Sequence, residues 1–234
     1  MPTPWNNTNI SNKNNGIPTI AIASPYKGSW NPEWVIKTRD PLHFTQLEWC
    51  NKIPIMSRIE SLPVARTSLV YEALKYNADY IFFIDIDTIF ESPTNPNVAL
   101  NMLYQLINKN KEEKKDKIIS GLYRAKQKVG FNYAAWKRAP NGQKGYSPLQ
   151  SWTGNWIEVD VTGLGCTLID MNIFKELPEP WFYWESPNDI SEDFYFFELA
   201  KKYGYNLHCF TDVKLVHLGN MKVKCDGTFS VQEM

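Results

Sequence analysis

The chain has 234 residues, enough to bury a substantial core without disulfide staples, and its 43% hydrophobic content is that of a folded protein. Lys+Arg and Asp+Glu each number 25, so no overall field favours nucleic acid or an anionic membrane, and any phosphate recognition has to be local. No apolar run approaches the roughly 20 residues that span a bilayer, and the amino terminus lacks a signal-peptide layout, which predicts a cytoplasmic protein with no transmembrane segment.

Residues 1–16 are rich in Asn and almost free of large apolar groups, which predicts a disordered tail ahead of one domain over 17–234. From there strand-like and helix-like stretches alternate, the pattern of an α/β protein with a mixed, mainly parallel sheet flanked by helices. The first strand, Thr19 to Ala23, runs into the turn formers Ser24-Pro25-Tyr26-Lys27-Gly28, and ligands of open α/β sheets bind at such carboxyl ends. A short strand follows over Ile53 to Met56, then a helix over Val64 to Tyr76 with Arg66 in its first turn. Tyr80 to Ile84 is a continuous apolar run, which predicts a central strand covered on both faces that delivers Asp85 and Asp87 at its carboxyl end.

Asn97 to Asn110 reads as a surface helix running into the charged stretch Lys109 to Lys117, and Ile118 to Leu122 as a further strand. The polar segment from Lys137 to Gly154 is predicted to be a long loop, with a lid as one possible role. Trp156 to Asp160 and Gly165 to Ile169 read as strands joined by the Gly163-Leu164-Gly165 turn, and Asn172 to Leu177 as a short helix closed by Pro178. Ser191 caps a helix reaching Tyr203, and Asp212 to His217 reads as the last strand. Cys50, Cys166, Cys209 and Cys225 are far apart with no C-x-x-C pair, which predicts free thiols in a reducing compartment.

Two carboxylates one residue apart at a strand end suit a hard divalent cation such as Mg2+ or Mn2+, which neutralises charge on a departing diphosphate. A pair of acids capping a turn is the plainer alternative for Asp85 and Asp87. His217 is the natural third ligand, because imidazole binds Mn2+ readily, although a lone histidine is more often structural. In the H-x-G-x-x-K run that it opens, Gly219 permits a tight turn and Lys222 can reach a phosphate. Glu192 and Asp193 either favour the positive end of a helix dipole or, for Asp193, serve as general base on an acceptor hydroxyl. Arg66 and Lys27 can meet diphosphate or ribose oxygens or stand as surface charges. The Trp181-Phe182-Tyr183-Trp184 run can stack on a sugar or pack in the core.

The order Leu62-Pro63-Val64-Ala65-Arg66, Tyr80 to Asp87, Gly163-Leu164-Gly165, Pro180-Trp181-Phe182, Ser191-Glu192-Asp193-Phe194 and Val216-His217-Leu218-Gly219 resembles nucleotide-sugar glycosyltransferases of the GT-A fold, particularly small family 2-like enzymes. The likeness covers about residues 17–222. It implies a Rossmann-like sheet and a donor, a UDP- or GDP-sugar, over Ala23, Ser24, Pro25, Tyr26 and Lys27 with Arg66, Ile86 and Lys222. It further implies Mn2+ or Mg2+ on the D-x-D pair, Asp85 and Asp87, to which the residues themselves add His217 as third ligand. A glycan, protein or lipid acceptor is implied beside Gly163, Leu164, Gly165, Trp181 and Trp184, with Asp193, supported by Glu192, as base in an inverting transfer. The H-x-G-x-x-K ending looks like certain retaining members instead.

Two other functions fit parts of the same pattern. An apolar strand followed by D-x-D also looks like the nucleophile and acid/base pair of haloacid-dehalogenase-type phosphatases, but there the motif ends the first core strand. A degenerate sugar-binding domain keeps the fold and the aromatic surface without turnover, and has no use for Asp85, Asp87, Asp193 and His217 together.

Overall fold

A computed structural model describes residues 16–26, 28, 30–58, 61–91, 93–109, 115–125, 132–139, 145–184 and 190–218, with the backbone of 221–223 and 229–231. The predicted tail, apart from Gly16, lies outside the described residues, as do Lys27, Gly219, Cys225 and the side chain of Lys222.

The chain opens with β1 (Thr19–Pro25), then α1 (Pro32–Trp34), a π-helical turn (Val35–Arg39) and α2 (Asp40–Phe44). It continues through β2 (Asn51–Ser57), α3 (Leu62–Lys75), β3 (Tyr80–Ile84), β4 (Thr88–Phe90), α4 (Pro96–Lys109) and β5 (Asp116–Leu122). After β6 (Ala135–Arg138), β7 (Tyr146–Pro148), β8 (Trp156–Val159), β9 (Val161–Thr162) and β10 (Cys166–Asp170) come α5 (Ile173–Glu176) and α6 (Glu192–Lys202). The last elements are β11 (Asn206–His217), β12 (Met221–Val223) and β13 (Phe229–Val231).

The main sheet has the order β13-β12-β11-β5-β10-β3-β1-β2. β1 is parallel to both β2 and β3, β11 is parallel to β5, and β10 runs against both β3 and β5. So β2, β1, β3, β5 and β11 all point one way, giving the mixed, mainly parallel sheet of a Rossmann-like α/β protein. Their carboxyl ends lie along one edge of the molecule, where open sheets of this kind hold ligands.

Alternation along the strands buries both faces. Ala21, Ala23, Ile81 and Phe83 pack with Leu69, Val70 and Ala73 of α3 and Phe196, Phe197 and Ala200 of α6. Ile20, Ile22, Phe82 and Ile84 pack on the other side with Leu42 of α2 and Leu100, Leu103 and Ile107 of α4. All five residues of β3 are buried, which is why its sequence carries no polar position. Helix α4 starts where Asn95 Oδ1 accepts the Asn97 N–H at 2.8 Å, with Pro96 at the first helical position, where its missing N–H is no loss.

Four elements depart from the sequence reading. The predicted loop over 137–154 carries β6 and β7, which pair antiparallel and, with β9, form a separate three-stranded sheet. These strands are short and half-exposed, so their sequence looks polar. The two strands predicted on either side of Gly163-Leu164-Gly165 are β8 and β10 of the main sheet, but the turn leads into β10 from β9 of the small sheet, which stands between them. The strand predicted from Asp212 begins at Asn206, since its first half pairs with β5 and β8 and its second with β4, and it is not the last strand. The helical stretch Pro32–Phe44 was not anticipated at all.

Candidate active site

The D-x-D segment leaves β3 in a tight turn whose shape is fixed by backbone contacts. Asp85 N–H donates to the Gly165 carbonyl at 3.2 Å, and Thr88 N–H to the Asp85 carbonyl at 3.2 Å. The buried Thr88 hydroxyl lies 2.9 Å from the Asp85 carbonyl oxygen and 3.0 Å from that of Gly165. The turn sends the chain into β4, whose antiparallel register with β11 sets His217 opposite Thr88. His217 thereby arrives beside Asp87, from which it is separated by 130 positions in the chain.

The two acids of the motif face different partners. Asp87 Oδ2 lies 3.5 Å from His217 Nε2, and its side chain is 41% exposed. His217 Nδ1 is 2.9 Å from the Arg124 carbonyl oxygen, which can only accept, so Nδ1 carries a hydrogen and Nε2 is the ring nitrogen turned toward Asp87. Asp85 instead meets Arg66, whose Nη2 is 3.1 Å from Oδ1 and 3.3 Å from Oδ2. Burial pushes the Asp85 carboxyl up, Arg66 pulls against that, and Asp87 and Glu192 add to the rise.

Arg66 is not a surface residue reaching for a ligand. It is 2% exposed, its Nε donates to Glu192 Oε1 at 3.2 Å, and its guanidinium carbon sits 5.4 Å from the centre of the Phe83 ring. Burial disfavours its charge, but Asp85, Glu192 and Asp193 outweigh that and hold it protonated. Glu192 is 4% exposed and turned inward to this pair, which removes it from any acceptor. Asp193, the next residue of α6, takes hydrogen bonds on Oδ1 from the Ser191 hydroxyl and from the Phe194 N–H, the latter at 2.8 Å. Burial and the neighbouring Glu192 lift its carboxyl to about 6, against those two hydrogen bonds and Arg66.

Beneath the turn lies Tyr123, which the sequence reading missed. Its hydroxyl accepts the Gly165 N–H at 2.9 Å and its ring stands edge-on to His217 with centroids 5.6 Å apart. A Cβ on Gly163 would sit 2.1 Å from that hydroxyl, and one on Gly165 would sit 2.8 Å from it and 3.3 Å from Asp85 Oδ2. The two glycines are therefore required by the close approach of Tyr123. Gly163, Leu164 and Gly165 are all buried, so they shape the D-x-D turn from below and do not border an acceptor with their side chains.

Other predicted contacts sort by burial. Trp181 is 4% exposed, donates its indole N–H to the Leu177 carbonyl at 3.1 Å and packs against Tyr71 and Phe174, so it is a core residue with no face for a sugar. Trp184 is 48% exposed and retains such a face. Ala23 and Ser24 are fully buried within β1, which leaves Tyr26 as the residue of that segment with an accessible ring. Tyr26 donates its N–H to the Ser57 carbonyl at 3.0 Å and its ring meets Trp30 edge-on. Ile86, like Trp30 and Met56, packs against a small buried cluster of Trp34, Ile89, Val216 and Leu218.

As a ligand set, Asp85, Asp87 and His217 do not form one closed group. Among the described residues no three His, Cys, Asp or Glu side chains are gathered to hold a metal ion, because Asp85 is drawn to Arg66. The chemistry of the donors still fits Mn2+ or Mg2+: two carboxylates and an imidazole whose other nitrogen is anchored to a carbonyl. Among the described residues no helix is long and apolar enough to cross a membrane.

Fold and site together define a Rossmann-like α/β protein with carboxylates and one imidazole gathered at the carboxyl ends of its parallel strands. No protein-family model matches the chain, and no curated protein sequence does. Among solved structures it is similar to A197 from STIV, at 18% identity and a TM-score of 0.61, over 92% of this chain and 94% of that one. It also aligns with a CMP:2-keto-3-deoxy-manno-octonic acid synthetase complexed with CTP, at 13% identity and a TM-score of 0.43, over 82% of this chain and 89% of that one. The first likeness is one of fold, and the second is too distant to decide anything.

Proposed function

We propose that this chain is a metal-dependent GT-A glycosyltransferase that moves a sugar from a nucleotide diphosphate to an acceptor hydroxyl with inversion. The observation that carries the reading is the pairing of Asp87 with His217. A carboxylate oxygen and an imidazole nitrogen, both of them metal-binding groups, face each other at 3.5 Å, and the other ring nitrogen is anchored to a carbonyl as in metal-bound histidines. A bound Mn2+ or Mg2+ would offset the charge of the leaving diphosphate, which the carboxylates of this edge would otherwise repel.

The chain's own groups then divide the remaining work. Asp87 and His217 present their donor atoms to the ion, and the Gly165 and Thr88 contacts hold the turn rigid. Tyr26 offers a ring at the end of β1 to the nucleotide, and Trp184 offers one to a sugar or acceptor. Asp193 takes the acceptor proton: its Oδ1 is tied by Ser191 and Phe194, which leaves Oδ2 as the basic atom, and a carboxyl near 6 is ionised at neutral pH yet basic enough to matter. A phosphatase reading fits less well, because a nucleophilic Asp85 would be blunted by the guanidinium bound to both its oxygens.

The test is Mn2+-dependent binding of a panel of UDP-, GDP- and dTDP-sugars, followed by transfer with the one that binds. Asp87→Ala is expected to abolish both. Binding without Mn2+, or undiminished transfer by that variant, would sink the metal assignment, and no binding of any donor would favour a degenerate carbohydrate binder.

A further inference from the structure

The residue that links the two acidic halves of the site is Arg66, and it does so without reaching the surface. Its side chain is 3% exposed, between the carboxyl end of β3 and the start of α6. One edge of the guanidinium binds Asp85 through Nη2 and another binds Glu192 through Nε. The third nitrogen, Nη1, is buried with no hydrogen-bond partner among the described residues. The Phe83 ring two residues before Asp85 lies 5.4 Å from the guanidinium carbon and fixes the plane of the fork.

Resting on the reading of Asp87 and His217 as metal ligands, we propose that Arg66 is a positioning residue that meters Asp85. It competes with the ion for that carboxylate, and through Glu192 it ties the competition to the helix start that carries Asp193. Asp85 is thereby kept at the metal site but off full ligation, while Asp87 and His217 form the open face. The geometry sets up the competition, because Nη2 lies within 3.3 Å of both Asp85 oxygens, so an ion that takes either oxygen shares the carboxylate's charge with the guanidinium and is repelled by it. The unused Nη1 gives the guanidinium a spare donor with which to follow Asp85 as it turns. A cation buried this deeply and bound by Asp85 and by Glu192, the latter 126 positions along the chain from Arg66, also makes the orientation of α6 depend on the D-x-D turn.

The test measures Mn2+ alone, by the electron paramagnetic resonance of the free ion, on the full chain without donor. Arg66→Met with Glu192→Gln removes one positive and one negative charge together, so the net charge of the site is unchanged, Glu192 is not left as a buried unpaired ion, and Asp85 alone loses its guanidinium. With Asp85 released, Mn2+ is expected to bind roughly five- to tenfold more tightly, a change of about 1–1.4 kcal/mol. Adding Asp85→Asn should cancel that gain, which a merely structural role for Arg66 would not require. Should the double variant fail to fold, Arg66→Lys keeps the charge but cannot hold both acids, and a smaller tightening is expected. Parental Mn2+ affinity in folded variants overturns the role of Arg66 while leaving the metal site standing. Absence of Mn2+ binding by the parental chain overturns both.

Discussion

At the scale of single residues, Asp193 has the environment of a working base. Burial and the adjacent Glu192 raise its carboxyl to about 6, against a value near 3.9 for an unfolded chain. A raised folded-state value means that the folded protein holds this proton more tightly than the unfolded chain. The resulting stabilisation is full below about pH 4 and is lost as pH rises through about 6. The difference between the two limits, with the half-buried carboxyl protonated and with it ionised, is up to about 3 kcal/mol. Asp193→Asn keeps an acceptor for Ser191 and Phe194 and removes the charge. It should therefore raise the melting temperature at pH 8, with the gain shrinking as the pH is lowered toward 4. The same variant should lower transfer by about 10²–10⁴-fold with donor binding retained, and the parental rate should fall as pH drops below about 6. A pH-independent melting difference together with undiminished transfer would reduce Asp193 to a helix-start acid.

At the scale of elements, the D-x-D turn depends on what lies under it. The hydroxyl of Tyr123 occupies the space a side chain at Gly163 would need. Gly163→Ala should cost about 1–3 kcal/mol by overpacking, and Tyr123→Phe, which removes the clashing oxygen, should recover part of that in the double variant. Denaturant titration of the four proteins in this cycle measures the recovery, and strictly additive losses would place the strain elsewhere. None of this was legible in the sequence, because Tyr123 and Gly163 are 40 positions apart and nothing local marks their meeting. The strand before Asp85 was legible, since burial on both faces imposes an unbroken apolar run. Arg66 and Glu192 were misjudged although a signal existed. Arg66 shares a helical stripe with the buried Leu69, Val70 and Ala73, and Glu192 shares one with Phe196 and Ala200, so each charge lies on an apolar face. Charges so placed point inward, and the simplest way to bury two of opposite sign is to pair them. Trp181 was misplaced for the converse reason: four successive aromatics look like a surface platform, whereas Trp181 and Phe182 are core and Tyr183 and Trp184 are half-exposed.

At the scale of the whole molecule, one long strand does the assembling. β11 pairs with β5 and β8 through its first half and with β4 through its second, shifting register between Phe210 and Lys214. That shift is how a strand deep in the main sheet ends opposite the turn that β3 supplies, with His217 level with Thr88. The sequence identified His217 as a candidate from its place after an apolar strand, but the register that brings it to Asp87 arises from tertiary pairing and has no local mark. An ion held between these two residues would therefore link β11 to the β3–β4 turn, elements that separate only when the sheet comes apart. Because such an ion binds the folded chain and not the unfolded one, it should stabilise the fold by mass action. Mn2+ at about a hundred times its dissociation constant is expected to add roughly 2.7 kcal/mol, a rise of about 5–11 °C in melting temperature for a domain of this size. Asp87→Ala and His217→Ala should each remove most of the rise, and a chelator should reverse it in the parental protein. An equal rise in both variants would mean that Mn2+ binds elsewhere on the chain and that β11 meets the turn for packing alone.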